Sequence, residues 1–250
     1  MAQQVLYTVV SNTRIARDVY EMRLAGPTGM LCAPGQFINI KIEGFYLRRP
    51  ISVCDWDDKG LTLVYKVLGK GTAVLAEMPA GQTLDTLAGL GNGFSLRELP
   101  QGARTVLAGG GVGVPPLYGL AKALCAQGFV PLVALGFAGA EDVFYTEKFA
   151  GIGCEVRVAT VDGSAGIKGF VTQLLQAAEY DTYYACGPQA MLQAVHRLGE
   201  EKGAVGQLSF EERMGCGFGT CMGCTCQTKN GAKRVCAEGP VFTSGEVIFA

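Results

Sequence analysis

The sequence predicts a multidomain chain of mixed α+β and α/β class. An N-terminal antiparallel β-barrel is followed by a doubly wound parallel-sheet domain and a cysteine-rich C-terminal tail. Three observations predict it. Short runs rich in Val, Ile, Tyr and Leu crowd residues 1–100, with turn residues between them. Strand-like and helix-like runs then alternate over 101–206. Finally, 207–250 holds five of the ten cysteines and shows almost no apolar periodicity.

The barrel strands are read at "QVLYTVVSN", "DVYEMRLAG", "QFINIKI", "RPISVCDW" and "LTLVYKVLG", with one short helix at "GTAVLAEM". Gly, Pro, Asp and Asn punctuate them. "RELPQG" at 97–102 is polar and Pro-bearing, and marks the domain boundary. Beyond it "RTVLAGG", "VPLVALGFAG", "CEVRVAT" and "TYYACG" read as strands. "PPLYGLAKALCAQG", "VFYTEKFAG", "GFVTQLLQAAEY" and "PQAMLQAVHRLGEEKG" read as helices; the first has Pro at its start and Gly at its end. This alternation implies a parallel sheet with helices on both faces.

Composition excludes several classes. Apolar residues make up 49% and charged residues 17%, which rules out a disordered chain. A net charge of −1 argues against nucleic-acid binding. "MAQQVLYTVVSNTR" lacks the basic and apolar regions of a leader, and Gly and Pro break the most apolar stretches. The expectation is a cytoplasmic protein away from membranes. Its cysteines should then be metal ligands or buried thiols, not disulfides.

The tail carries the most specific signal. Cys216-x4-Cys221-x2-Cys224, with Cys236 further on, is the plant-type ferredoxin spacing for a [2Fe–2S] cluster. Such a cluster needs four thiolates converging from one small loop. Glycines at 215, 217, 219 and 223 let the backbone wrap closely and aim N–H groups at sulfur. A zinc ribbon prefers two C-x2-C knuckles, and only Cys221/Cys224 makes one. Buried structural thiols would need a core that so short a tail can hardly supply. Cys226 is a fifth thiol, read as a neighbouring non-ligand. Cys32, Cys54, Cys125 and Cys154 are scattered and read as small buried hydrophobes.

Two glycine loops follow predicted strands and open predicted helices. "AGGGVGVPPL" departs from strict G-x-G-x-x-G, yet its strand–helix context makes an anion site at a helix N-terminus. A tight connection that binds nothing is the alternative. "YYACGPQAML" repeats the grammar and puts Cys186 at a strand end, facing a ligand crevice or packed in the core. In the barrel, "LRRPISV" sets Arg48 and Arg49 before an extended segment, where a guanidinium fork suits a pyrophosphate. A solvated pair of arginines is the plainer reading. "YKVLGKGTAVL" offers Gly69, Gly71 and Thr72 as a second anion-type site. No Ser/His/Asp triad suggests itself, and His196 falls in a helix as a surface or packing residue.

Arg49-Pro50-Ile51-Ser52, Gly109-Gly110-Gly111-Val112-Gly113 and Cys186-Gly187-Pro188 together resemble the ferredoxin–NADP reductase superfamily. Within it, the chain is most similar to the electron-transfer subunits of dihydroorotate dehydrogenase B. "RRPISV", "GGGVGVPPLYGLA", "KGFVT", "YACGPQAML", "EERMGCGFGTCMGCTC" and "RVCAEGPVF" carry that likeness over nearly all 250 residues. The resemblance implies that Arg49, Pro50, Ile51 and Ser52 hold FAD. Val64, Tyr65 and Lys66 would line the flavin, and Gly71 and Thr72 its phosphate. Gly110, Gly111 and Gly113 would face NAD, with Cys186 beside the nicotinamide. Cys216, Cys221, Cys224 and Cys236 would bind [2Fe–2S]. It also implies a redox relay without acid–base catalysis, serving pyrimidine (UMP) synthesis. The implied partner is an FMN-containing dihydroorotate dehydrogenase catalytic subunit, in a heterotetramer of two plus two. A subunit of the sulfide-dehydrogenase or hydrogenase-γ kind shares these parts and is the alternative, as is a colourless module with a zinc tail.

Overall fold

The computed structural model describes residues 2–96 and 99–249. Arg97 and Glu98, which begin the expected boundary hexapeptide, lie outside the described residues.

The N-terminal strands are β1 (Gln3–Ala16), β2 (Val19–Ala25), β3 (Phe37–Ile40), β4 (Arg49–Trp56), β5 (Gly60–Lys66) and β6 (Thr83–Leu90), with helix α1 (Lys70–Ala76) before the last. They close as a barrel in the order β1-β2-β5-β4-β3-β6. The alternation expected of a half-buried strand is plain in β1, where Val5, Tyr7 and Val9 are buried and their neighbours exposed. Tyr7, Met22, Ile38, Ile40, Leu63 and Leu84 fill the interior.

Sequence reasoning gave five barrel strands; β6 is the sixth. Its inward positions include Thr86 and Ala88 as well as leucines, and Asp85 and Gly89 interrupt it. Tertiary contacts redeem these poor strand formers. The Thr86 hydroxyl donates to the Val5 carbonyl (3.0 Å), and Gly89 takes φ +70 beside Met30.

The second unit comprises β7 (Thr105–Gly110), α2 (Val114–Ala126), β8 (Leu132–Phe137), α3 (Thr146–Gly151), β9 (Glu155–Thr160), β10 (Ile167–Lys168), α4 (Val171–Gln176), β11 (Thr182–Cys186), α5 (Gln189–Glu201) and β12 (Val205–Ser209). After it come a hairpin, β13 (Thr225–Thr228) and β14 (Gly231–Arg234), and a last strand, β15 (Val241–Thr243). The sheet order is β10-β9-β8-β7-β11-β12-β15, parallel throughout except for β15. Thus the cysteine segment is threaded through this sheet: it leaves from β12 and returns as β15. β7 carries Val106 and Ala108 toward α4 and α5, and Leu107 toward α2 and α3. Its residues are buried on both faces, as a central parallel strand requires.

Helix α2 is clamped between sheet and barrel. A Cβ at Gly119 would stand 2.7 Å from the Cys54 carbonyl, so only glycine lets the helix lie this close to β4. Charges flank the seam. Lys122 pairs with Asp55 (2.6 Å) and Arg17 with Asp142 (2.5 Å). Tyr145, at φ +70, donates its hydroxyl to Glu21, which also pairs with Lys148. No helix among the described residues is long and apolar enough to cross a membrane.

The Glu21 contact predicts a pH effect. Burial raises its carboxyl, but hydrogen bonds from Lys148 and Tyr145 outweigh this and hold it below its ordinary value of 4.5. A depressed carboxylate contributes stability that is complete above the unfolded-state value and fades as pH falls through the lower folded value. Glu21→Gln should therefore cost about 1 kcal/mol at neutral pH, since Lys148 is half exposed. The gap between parent and variant should narrow as pH falls below 4.5 in urea titrations. An equal gap at both pH values would disprove the linkage.

Candidate functional site

Strand order reverses at β7, whose neighbours β8 and β11 lead away in opposite directions. Crevices at the carboxyl ends of such strands are where open α/β sheets bind ligands. Gly110 and Gly111 end β7, and Cys186 and Gly187 end β11 beside them. Gly111 takes φ +52 and has open space where a Cβ would sit. A Cβ at Gly110 would meet Met191 Sδ at 2.5 Å. Gly113 serves packing instead. A Cβ there would stand 2.2 Å from the Cys186 carbonyl, so this glycine lets the start of α2 rest on the end of β11.

A cavity of about 570 Å³ opens over the first loop, bordered by Lys66, Gly110, Gly111, Asp142, Phe170 and Met191. A second, of about 630 Å³, joins barrel to sheet through Pro50, Ser52, Gly187 and Gln189, with Glu211 and Arg213 at its edge. Both fall in the size range of cofactor sites. Cys186 precedes Gly187 of this cleft and bonds with Ser209, and desolvation pushes its thiol up to about 12. It is therefore a neutral, packed group there. A third cavity, about 1220 Å³, opens between the barrel, α2 and the cysteine loop and reaches Phe218 and Cys236.

Arg48 and Arg49 part company. Arg48 turns inward, pairing with Asp85 (3.0 Å) and donating to the Asn39 carbonyl (3.3 Å). It braces the barrel. Arg49 lies over the Phe45 ring (4.9 Å), donates to the Leu47 carbonyl and reaches Gly71. A Cβ on Gly71 would come within 2.4 Å of its Nε. The missing side chain at 71 thus makes room for this guanidinium. The Thr72 hydroxyl receives the Leu68 and Gly69 N–H groups and donates to the Gly69 carbonyl. Ile51 packs toward the barrel core, while Pro50 and Ser52 face the cleft, as strand alternation demands.

β5 splits its residues the same way. Tyr65 points into the barrel and donates to Asn12 Oδ1 (2.9 Å), whereas Val64 joins the core between barrel and sheet. Lys66 stands at the nucleotide-loop cavity, 3.9 Å from Asp142. His196 is a packing residue, 3.1 Å from the Tyr183 hydroxyl and against Phe249.

The cysteines link in pairs. Cys216 N–H points to Cys221 Sγ (3.4 Å), and Cys236 N–H to Cys224 Sγ (3.4 Å). Thr220 N–H donates to Cys216 Sγ (3.3 Å). Burial works to raise the Cys216 thiol, yet backbone N–H groups of Phe218, Cys221 and Thr220 bring it down to about 6. Cys236 is pushed up to about 12 by burial and then by Cys224, with Cys216 also near enough to act. A Cβ at Gly215 would stand 3.1 Å from Cys221 Sγ, so this glycine hollows the loop around that sulfur. Arg234 ties the loop down through the Gly219 carbonyl and Glu238. Cys226, on β13, packs half-buried against the core.

Among the described residues, no three His, Cys, Asp or Glu side chains gather closely enough to hold one ion. Thiols arranged in pairs suit two metal ions, each taking two sulfurs, better than a zinc tetrahedron. Soft sulfur donors, amide N–H groups aimed at them and a hollowed loop together fit an iron–sulfur cluster. The Gly71–Arg49 cradle fits a pyrophosphate, and the open Gly111 loop fits a dinucleotide.

Sequence reasoning missed Phe170, Met191 and Asp142 at the nucleotide cavity, and Glu211 and Arg213 at the cleft. Phe170 follows Gly169 in the "KGFVT" run and is 65% exposed, which only the fold reveals.

Residues 211–248 match the family model for the iron–sulfur cluster binding domain of dihydroorotate dehydrogenase B. The chain is 45% identical to the dihydroorotate dehydrogenase B (NAD(+)) electron transfer subunit of Geobacillus sp. (strain WCH70), over 100% of both chains. It is 45% identical to that of Bacillus caldolyticus, over 97% of both. Among solved structures, an NADH-dependent reduced ferredoxin–NADP oxidoreductase superposes with a TM-score of 0.86 at 31% identity, covering 97% of this chain and 89% of the other. A cytochrome P450 reductase from Amycolatopsis gives a TM-score of 0.71 at 25% identity, with 80% and 66% covered.

Proposed function

The chain belongs to the family of dihydroorotate dehydrogenase B (NAD(+)) electron transfer subunits, and we propose how its residues divide that work. The family is an NAD-linked oxidoreductase of pyrimidine synthesis, and its cofactors here are FAD, [2Fe–2S] and NAD. When bound, these groups supply the exchange between single-electron and hydride transfer that links dihydroorotate oxidation to NAD⁺.

Three units divide the cofactors, with 1–100 for FAD, 101–206 for NAD and 207–250 for the cluster. Arg49 meets the FAD pyrophosphate with its fork, oriented by Phe45 and given room by Gly71. Pro50 and Ser52 present the flavin face of the cleft, with Ile51 anchoring the strand behind them. Thr72 fixes the phosphate turn through its backbone bonds. Val64 and Tyr65 stiffen the strand that supports the site, and Lys66 reaches the nucleotide side. Gly110 and Gly111 admit the NAD pyrophosphate, and Gly113 fixes the loop against Cys186. Cys186 then covers the nicotinamide as a neutral thiol that excludes water. Cys216, Cys221, Cys224 and Cys236 hold the cluster.

The partner is an FMN-containing catalytic subunit, in a two-plus-two heterotetramer in the cytoplasm. Cys221, Phe218 and Met222 give the cysteine loop an exposed face to present to it. The paired thiols with their N–H donors carry this reading. Its test is anaerobic co-expression with a dihydroorotate-oxidising flavoprotein. The expected result is a complex with flavin and iron–sulfur absorbance that forms NADH from dihydroorotate and NAD⁺. A colourless, zinc-loaded chain would overturn the redox assignment. An iron-loaded chain that takes electrons only from ferredoxin or sulfide would overturn the partner.

A further inference from the structure

A buried amide of the barrel holds the start of the cysteine loop. Asn39, on β3, is 1% exposed. Its Nδ2 donates to the carbonyl of Cys216 (3.3 Å). The loop comes this close only because residue 217 is glycine: at φ +78, a Cβ there would stand 2.3 Å from Asn39 Nδ2. On the other side, Asn39 lies directly opposite Pro50 in the β3–β4 ladder, and its strand neighbour Phe37 lies opposite Ser52. Cross-strand partners share a face of the sheet. Asn39 therefore sits on the face that carries Pro50 and Ser52, at the spot where residues 216–217 cover it. Its carbonyl is taken by Arg48, the neighbour of Arg49.

The other end of the amide is informative. Asn39 Oδ1 is buried and has no hydrogen-bond partner. An orphaned buried acceptor is unfavourable, and an apolar residue of similar size would avoid it. Packing alone does not account for asparagine here, so its use lies in the donor end. Resting on the family assignment above, we infer that Asn39 is a positioning residue: it sets the cluster loop in register with the flavin-motif strand, and so fixes the path between the two redox sites. It lines none of the three cavities described above. It acts through the Cys216 main chain, whose side chain is a cluster ligand. Hydrogen bonding one step behind a ligand is the kind of contact that tunes and orients a metal site.

The test is Asn39→Leu, which keeps the branched shape and heavy-atom count and removes the donor. Iron, acid-labile sulfide and FAD are measured first in the parent; a parent without iron defeats the family reading, not this one. In the loaded variant, NADH-driven dye reduction through FAD should match the parent. The cluster's midpoint potential and its reduced-state EPR spectrum should shift, and dihydroorotate-driven NADH formation in the complex should fall about tenfold. Loss of iron with FAD retained also supports the role. An unchanged potential, spectrum and rate in the loaded variant overturns it. If Asn39→Leu loses FAD as well, Gly217→Ala decides, because it breaks the same contact from the loop and leaves the barrel sequence unchanged. A shifted potential or lost iron there supports the inference, and parent-like values reject it.

Discussion

Cys221→Ser is expected to strip the iron–sulfur centre and lower partner-driven NADH formation by roughly a hundredfold or more, while NADH-driven dye reduction through FAD survives. Cys221 is the exposed member of its pair, and its sulfur receives the Cys216 N–H at 3.4 Å. Gly215 leaves room around it. A hydroxyl in place of this soft donor is a poor iron–sulfur ligand at neutral pH. The fold should tolerate the change. β12 and β15 secure the segment on either side of the loop, and Arg234 holds its inner edge. The flavin motif and the Gly110–Gly111 loop lie on other elements, so hydride exchange at FAD needs nothing from this sulfur. Cys226→Ser is the matched control, because Cys226 packs on β13 against the core and should leave iron content at the parent level. Iron and sulfide assays with visible spectra read both variants. Full iron content in Cys221→Ser, or iron loss in Cys226→Ser, would reassign the ligands.

That contrast shows what a sequence can carry. Ligands close together in the chain leave a spacing signal, because chelation constrains spacing directly, and the four cysteines proposed here carry it. Strands were legible where inward positions were apolar, as in β1 and β5. β6 was not, since its inward Thr86 is satisfied by a carbonyl of β1 that is distant in sequence. β12 and β15 were hidden because cysteine content set the reading of the whole tail, although their pairing belongs to the nucleotide sheet. Gly113 was read for phosphate contact, and its close packing against Cys186 left no local signal, nor did that of Gly119 against Cys54. Arg48 and Arg49 looked equivalent until Asp85 claimed one of them. Asn39, Glu21 and Tyr145 had no local signature at all. Their roles depend on partners that only the tertiary fold brings near.

Arg49→Ala should weaken FAD binding ten- to hundredfold, the loss of one charge-assisted contact of about 1.5–3 kcal/mol. The structure argues for the upper part of that range. Phe45 beneath the guanidinium, the Leu47 carbonyl at one edge and the gap at Gly71 hold the fork in place before any ligand arrives. Little rotamer entropy then remains to be lost on binding. Arg49→Lys keeps the charge but not the fork, so it should recover only part of the affinity. Gly71→Ala attacks the same contact from the other side, since its methyl group would displace the guanidinium. Arg48→Ala should behave differently. That side chain is bonded to Asp85 and the Asn39 carbonyl, so its removal should lower the melting temperature of the apoprotein more than it lowers FAD affinity. Flavin titrations followed by fluorescence, alongside apoprotein melts, separate the two arginines. Equal FAD affinity in Arg49→Ala and parent would remove Arg49 from the site. A large affinity loss in Arg48→Ala with unchanged melting would exchange the two assignments. The pattern expected here, affinity for one arginine and stability for its neighbour, follows from a single turn of chain direction at the start of β4.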